Sequence, residues 1–550
     1  MSIETDNHEN EQHQTPQVYF KNIVFNDGTK LDLQRNSIVV FTGPNNCGKS
    51  QALKDLEREL NPSVHANPIV VQSTDLTFEG KISDSAFLNS RFILNNEGRY
   101  QTVDSNRSTF TLNDLESFWK AKELHNGMHG LFVVLLSTKN RLTASNPIGR
   151  TSDSEYHPIF KIFRSEETAQ KISNYFHQAF GIDLVVNHNE LEFIPLHTGQ
   201  APDASAYRIS EQDYYYSLVN TLPKLHEQGD GMRAFASILL DTFTTNNTIT
   251  LIDEPEAFLH PPQARIIGKM LAKNNPDNRQ LFISTHSEDF LQGLVDANSE
   301  NVSVIRIIRD SNRNNMSILN NNDILKLWGK PLLRYSNMLS GLFHEKVIVC
   351  ESDYDCLFYQ AIMDAMYESR NETSPDILFT HCGGKSRIKE VVEALRAVNV
   401  PVVAICDFDI LNSSQEFKPL VAAFGLDWNS QLAHSMKTIY DGVNGRSNAG
   451  VDEWERIKKF GKNSLHGNEP AAYENIEKLC HSVGLYIVPY GEIESFDKTI
   501  NKQKREWVYH VLENYELSSE PKLNDARRFI QSFVDFYPVH TLHKNCSESS

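Results

Sequence analysis

Six carboxylates in the C-terminal half stand where they could hold a divalent cation. Glu351 follows the apolar run "KVIVC", and Asp355 lies four residues on. A strand tip and the first turn of a helix can aim both at one ion. "VPVVAICDFDIL" carries Asp407 and Asp409 just past another apolar run, and "GLYIVPYGEIESF" adds Glu492 and Glu494. An Asp-x-Asp beyond a strand can bring both carboxylates to one hard cation, and the two glutamates could hold a second. Lys504 opens the basic helix pattern "KREWVYHVLENYEL" and could neutralise charge on a scissile phosphate. Carboxylates with Mg²⁺, or Mn²⁺ in its place, suit phosphodiester chemistry, because the ion stabilises the attacking and leaving oxygens. Glu351 could also move a proton. Unrelated acids at strand ends are the alternative.

A second constellation lies near the N-terminus, in "SIVVFTGPNNCGKSQAL". Gly43 and Gly48 frame Asn45, Asn46 and Cys47, so that backbone N–H groups can curl around phosphates. Lys49 would reach the β- and γ-phosphates of ATP, and the Ser50 hydroxyl would ligate Mg²⁺. "TITLIDE" ends a strand in Asp253, which would hold Mg²⁺ through water, and Glu254, which would polarise the attacking water. A buried strand running into an acidic helix cap is the alternative there. His286 sits just past the strand of "QLFISTHSEDF" and could contact the γ-phosphate. "EQGDGMRAFASILL" turns through Gly229 and Gly231 into a helix, again an anion-binding arrangement. Asp230 between them is unexpected beside a phosphate.

These residues need parallel strands to carry them. Apolar runs of four or five residues alternate with helical patterns in both halves, which predicts two α/β domains. With 550 residues the chain is too long for one core. The expected layout is a disordered lead-in over 1–17, an ATPase domain over 18–335, a metal-binding domain over 336–540 and a tail over 541–550. About residues 155–220, "HPIFKIFRSEETAQKISNYFHQAF" predicts a helical insert suited to dimerisation. Leu131–Leu142 predicts a strand ending in a polar loop, with Arg141 either a site residue or a surface arginine. No long coiled-coil arm fits between Lys49 and Asp253.

Composition narrows the class. The net charge of −18 argues against a protein that coats nucleic acid, yet not against a nuclease with an acidic site. The seven cysteines form no CxxC pair, so a zinc ribbon is not expected, and free thiols fit a cytoplasmic protein. No membrane span or signal peptide is expected.

The order of phosphate loop, signature turn, acidic strand and switch histidine resembles ABC-type ATPases of the SMC-like branch. Glu351 on one strand tip and Asp407-x-Asp409 on another resemble the TOPRIM arrangement of topoisomerases, primases and nucleases. The two together, with "GEIE" and "KREWV", resemble the OLD (overcoming lysogenization defect) family. The resemblance implies an ABC/SMC-like P-loop domain with a dimerisation insert, followed by a Rossmann-like TOPRIM domain. It implies a homodimer through the ATPase half, ATP with Mg²⁺, metal-dependent cutting of DNA and a role in defence against phage. A partner such as a reverse transcriptase with its RNA–DNA is a further expectation. The rival is an ATP-driven clamp whose TOPRIM-like part recruits a partner without cutting.

Overall fold

The computed structural model describes residues 15–61, 67–103, 107–124, 127–150, 157–190, 192–310, 313–320, 338–446 and 453–537. Most of the expected lead-in and all of the expected tail lie outside these residues, and Gln17 already begins a strand. The chain divides into two compact units, 1–325 and 326–550. The expected boundary at 335 falls outside the described residues.

Unit one contains β1 (Gln17–Phe25), β2 (Lys30–Asp32), β3 (Ile38–Thr42), β4 (Val71–Glu79), β5 (Val133–Leu136), β6 (Ile249–Asp253), β7 (Gln280–Ser284), β8 (Val302–Asp310) and β9 (Arg313–Asn320). One sheet is antiparallel, in the order β2-β1-β4. The largest sheet runs β9-β8-β3-β7-β6-β5, all parallel except the β8–β9 hairpin. Every residue of β3 and β7 is buried, as expected of strands covered on both faces. Gln280 joins the sheets: its side chain exchanges hydrogen bonds with Phe20 N and O at 2.9 and 2.8 Å. Phe20 meets Phe282 edge-on at 5.5 Å. Helix α1 (Lys49–Leu60) follows β3 directly and turns Ala52, Leu53, Leu56 and Leu60 into this core.

Two expectations need correction. The Leu131–Leu142 strand is only β5 long, because Ser137 caps a short helix, α2 (Thr138–Thr143), by accepting from Asn140 N. The insert is only partly helical. Its α3 (Pro158–Arg164) and α4 (Glu166–Phe180) are followed by a two-stranded antiparallel ribbon, Asp183–Val186 with Leu196–Gly199. The apolar face of α4 is spent within its own unit, on α5 (Asp230–Thr244) and α6 (Pro261–Asn274). Phe176 and Phe180 pack on Phe235 at 6.2 and 5.2 Å, and Tyr175 stacks on Phe243 at 5.6 Å.

Unit two is built on four parallel strands, β10 (Lys346–Cys350), β11 (Ile377–His381), β12 (Val402–Cys406) and β13 (Leu485–Ile487), in the order β11-β10-β12-β13. Helices α7 (Asp353–Ser369), α8 (Lys385–Ala397), α9 (Ser414–Ala423), α10 (Ser430–Arg446), α11 (Lys504–Asn514) and α12 (Asn524–Val534) accompany them. Parallel strands put their C-terminal ends on one edge, where the acids lie. At the opposite end Lys346 is buried, and its Nζ donates to the carbonyls of Phe533, Val534 and Phe536 at 3.1, 2.5 and 2.8 Å. It thereby caps the C-terminus of α12. Trp507 is buried against Phe358 at 5.2 Å and donates to Asp497 O at 3.0 Å, which fixes α11 beside α7.

Among the described residues, no helix is long and apolar enough to cross a membrane.

Candidate active site

In unit one the loop after β3 is shaped by left-handed residues: Gly43 (φ 138°), Asn46 (φ 60°) and Gly48 (φ 110°). A Cβ on Gly43 would stand 2.2 Å from Ile307 O, so β8 leaves no room for a side chain. Lys49 is buried and points back across the loop, donating to Gly43 O and Pro44 O at 2.7 Å each. Burial lowers its pKa. Ser50 is half-buried in the first turn of α1, Asn45 and Asn46 are exposed, and Cys47 is buried with its carbonyl accepting from Asn314 Nδ2 at 2.6 Å. Asn314 lies on β9, so the outer hairpin props the loop from behind.

The acidic strand tip lies two strands away. Asp253 Oδ1 accepts from Ser284 Oγ, and Glu254 N donates to Ser284 O at 3.0 Å. Glu254 adopts φ 49° and its Oε1 is 3.3 Å from His286 Nε2. Burial, with Lys49 nearby, lowers the His286 pKa. The imidazole is therefore neutral near pH 7 and keeps one N–H to share. Arg141 is not a surface arginine. It is fully buried, and its guanidinium donates to the carbonyls of Asp253 and Glu254 at 2.7 Å each. Sequence reasoning also passed over Glu256, whose Oε1 accepts from Thr285 Oγ1 at 2.9 Å and His286 N at 2.6 Å. Its place two residues after Glu254 was the available signal.

The signature turn begins α5, with Gly229 as the N-cap. A Cβ on Gly231 would meet Phe258 O at 2.6 Å, which explains this glycine without a nucleotide. Asp230 is paired with Arg233 at 3.1 Å, which tempers its charge.

In unit two, β10 and β12 are neighbours, with Val349 opposite Ala404. The two acidic tips therefore meet: Asp407 N donates to Glu351 Oε1 at 3.0 Å. Asp355 does double duty. Its Oδ2 accepts from Ser352 N at 2.9 Å in a capping box, and its Oδ1 is 2.7 Å from Lys504 Nζ. Lys504 also reaches Asp407 at 3.8 Å. Asp409 turns the other way, to Lys385 at 3.3 Å, which also pairs with Glu416 at 3.6 Å. Glu492 pairs with Lys458 at 3.0 Å, and Glu494 feels Asp355, Glu492 and Lys504. Lys385 and Lys458 are site residues that sequence reasoning did not assign. Lys385 follows Gly383-Gly384 at the start of α8, a turn that offered a signal for it.

The electrostatics follow from burial. It pushes the Glu351 carboxyl up to about 7, and raises Asp407 well above its ordinary value despite the Lys504 ammonium. Attraction to Asp407 and Asp355 outweighs burial at Lys504 and raises it.

The donor set fits a hard divalent cation. Asp409 Oδ1 and Glu494 Oε2 are buried and accept no hydrogen bond among the described residues. Asp355 Oδ1 has the Lys504 ammonium but no well-directed hydrogen bond. Oxygens left this way are what an oxygen-seeking cation satisfies. No three His, Cys, Asp or Glu side chains of the described residues converge into a ready cage. Ammonium groups bridge the carboxylates instead.

A family model described as "Overcoming lysogenization defect protein-like, TOPRIM domain" matches residues 342–409, the stretch that carries both acidic tips. A second, described as "AAA domain, putative AbiEii toxin, Type IV TA system", matches residues 136–291. Each match covers only part of the chain, and what they show is similarity to an AAA domain and to an OLD-like TOPRIM domain. The chain is an α/β protein with a P-loop ATPase head followed by a TOPRIM domain. The chain is 25% identical over 280 residues to the Old nuclease of Escherichia phage P2, covering 48% of the chain and 45% of that relative. It is 25% identical over 171 residues to the OLD nuclease of Thermus scotoductus, covering 29% of the chain and 30% of that relative. The chain thus spans less than half the length of these curated relatives. Among solved structures, the SmcHead bound to the C-winged helix domain of ScpA matches 55% of the chain and 98% of its own, at 11% identity and a TM-score of 0.34. The SMC head domain from Thermotoga maritima matches 56% and 99%, at 9% identity and a TM-score of 0.27.

Proposed function

We propose that this chain is an ATP-binding and ATP-hydrolysing, divalent-metal-dependent DNA endonuclease. The observation that carries the reading is the junction of Glu351 and Asp407 at adjacent strand tips, with Lys504 against Asp355 and Asp407. Glu351, Asp355, Asp407, Asp409, Glu492 and Glu494 would hold Mg²⁺ or Mn²⁺, which supplies charge neutralisation at the scissile phosphate. Lys504 balances the buried carboxylates and offers a positive charge to the phosphate. Glu351, protonated below about pH 7 and ionised above, is suited to passing a proton there.

At the other site, Lys49 and the loop amides would bind the phosphates of ATP, with Ser50 and Asp253 as seats for its Mg²⁺. Glu254 would orient the attacking water, and neutral His286 steadies Glu254. Two heads would share ATP in a homodimer, each presenting Gly229 and Gly231 to the other's nucleotide. A role in antiphage defence, with or without a nucleic-acid-bearing partner, follows from the family resemblance.

The direct test is incubation of the full chain with supercoiled plasmid in Mg²⁺ or Mn²⁺, with and without ATP. Conversion to nicked or linear DNA that EDTA abolishes is expected. Intact plasmid under every condition, beside normal ATP turnover, would favour the clamp.

A further inference from the structure

Helix α9 begins next to the nuclease centre. Glu416 in its first turn shares Lys385 with Asp409, so the helix is tied to the acidic site by one ammonium group. Beside that turn, α9 and α10 flank a groove of about 520 Å³, within the range of small-ligand sites. Gln415 and Lys418 line one wall, Lys437 and Tyr440 the other, and Trp428 comes from the connecting loop. None of the lining residues is acidic, in a chain whose net charge is −18.

The rings are braced rather than loose. Trp428 rests on the edge of Phe417, with centroids 6.1 Å apart and planes at 77°. Tyr440 leans on Trp454 at 6.1 Å and keeps 42% of its surface exposed. Lys418 and Lys437 are exposed, and among the described residues no carboxylate holds either ammonium. Fixed aromatic faces between free cations form a platform for stacked bases with phosphates alongside. A duplex keeps its bases stacked on each other and cannot use such faces, so the complementary ligand is unpaired.

We propose that the groove between α9 and α10 binds a short single-stranded DNA segment flanking the phosphate that a divalent ion at Asp407 and Asp409 would engage. Trp428 and Tyr440 stack on bases, while Lys418 and Lys437 contact phosphates. This rests on the nuclease reading and adds a substrate class to it: DNA with an unpaired stretch beside the scissile bond.

The test is fluorescence anisotropy of labelled dT12 and of a labelled hairpin duplex with the full chain in EDTA, where no cutting occurs. The Lys418→Glu/Lys437→Glu variant is expected to weaken dT12 binding at least about tenfold. Trp428→Leu is expected to weaken it by about tenfold and to remove most dT12-induced quenching of tryptophan fluorescence. Duplex affinity should change less than about twofold in both, and ATP turnover should stay at the parent level as a check on folding. Unchanged dT12 affinity in both variants overturns the proposal, as does no dT12 binding by the parent chain. Equal losses for duplex and single strand overturn it too, since the groove would then follow backbone alone. Binding is read without a divalent ion, so failure here leaves the nuclease reading standing, to be decided separately by plasmid cutting.

Discussion

The main-chain N–H of Asp407 donates a 3.0 Å hydrogen bond to Glu351 Oε1. One residue's backbone thus helps to position the other's carboxylate. Both are pushed up by burial, Glu351 to about 7.

That shift sets a pH dependence. The ordinary Glu351 value is 4.5 and the folded value is about 7. A raised carboxyl favours the folded state most below pH 4.5, and this contribution is lost as pH rises through 7. Cation binding needs the ionised form and releases a proton below pH 7. Mg²⁺ affinity of the nucleotide-free chain should therefore rise about tenfold per pH unit between 5 and 7, then flatten. Titration calorimetry in buffers of different ionisation enthalpy would count the proton. An affinity flat from pH 5 to 8 would contradict the assignment.

Lys504 is the counter-charge for Asp355 and Asp407. Lys504→Met should leave both buried acids unpaired and destabilise unit two by roughly 3 kcal/mol without a divalent ion. Added Mg²⁺ should recover part of this loss, whereas Lys504→Arg should retain most of the stability. Calorimetric melting with and without Mg²⁺ reads the difference. A melt indifferent to Lys504→Met would show that the pairing contributes nothing.

Arg141 acts through the backbone that carries Asp253 and Glu254. Arg141→Met should strand two carbonyls, at about 1–3 kcal/mol each, and lower ATP turnover at least about tenfold. ATP affinity should change much less, because Lys49 and its loop are untouched. Steady-state turnover beside nucleotide binding by calorimetry separates the two. Equal loss of binding and turnover would mean that the phosphate loop itself had moved.

The parallel sheets were legible because short apolar runs ending in acids or glycines mark buried parallel strands. Ile38–Thr42, Ile249–Asp253, Lys346–Cys350 and Val402–Cys406 all follow that pattern. The adjacency of Glu351 and Asp407 followed from it. Less legible were groups whose role depends on long-range geometry. Arg141 lies 112 residues from Asp253, and nothing local announces that it serves that carbonyl. Lys458 looks like an ordinary helix lysine until the fold brings Glu492 to it, and the Gly383-Gly384 turn before Lys385 does not announce that Asp409 will meet it. The insert was read as helical because the spacing in α4 is strong, while the ribbon behind it is only four residues per strand. The Asp-x-Asp pair also divides its partners, Asp407 toward Lys504 and Asp409 toward Lys385, because a tight helical turn follows β12 at once.

The most direct measurement is plasmid cutting by Asp407→Asn in Mg²⁺ and Mn²⁺, with ATP turnover of the same preparation as the control. Cutting should fall at least about a hundredfold while ATP turnover stays within about twofold of the parent. Cutting at the parent rate by that variant would contradict the assignment of the nuclease centre to the β10 and β12 tips.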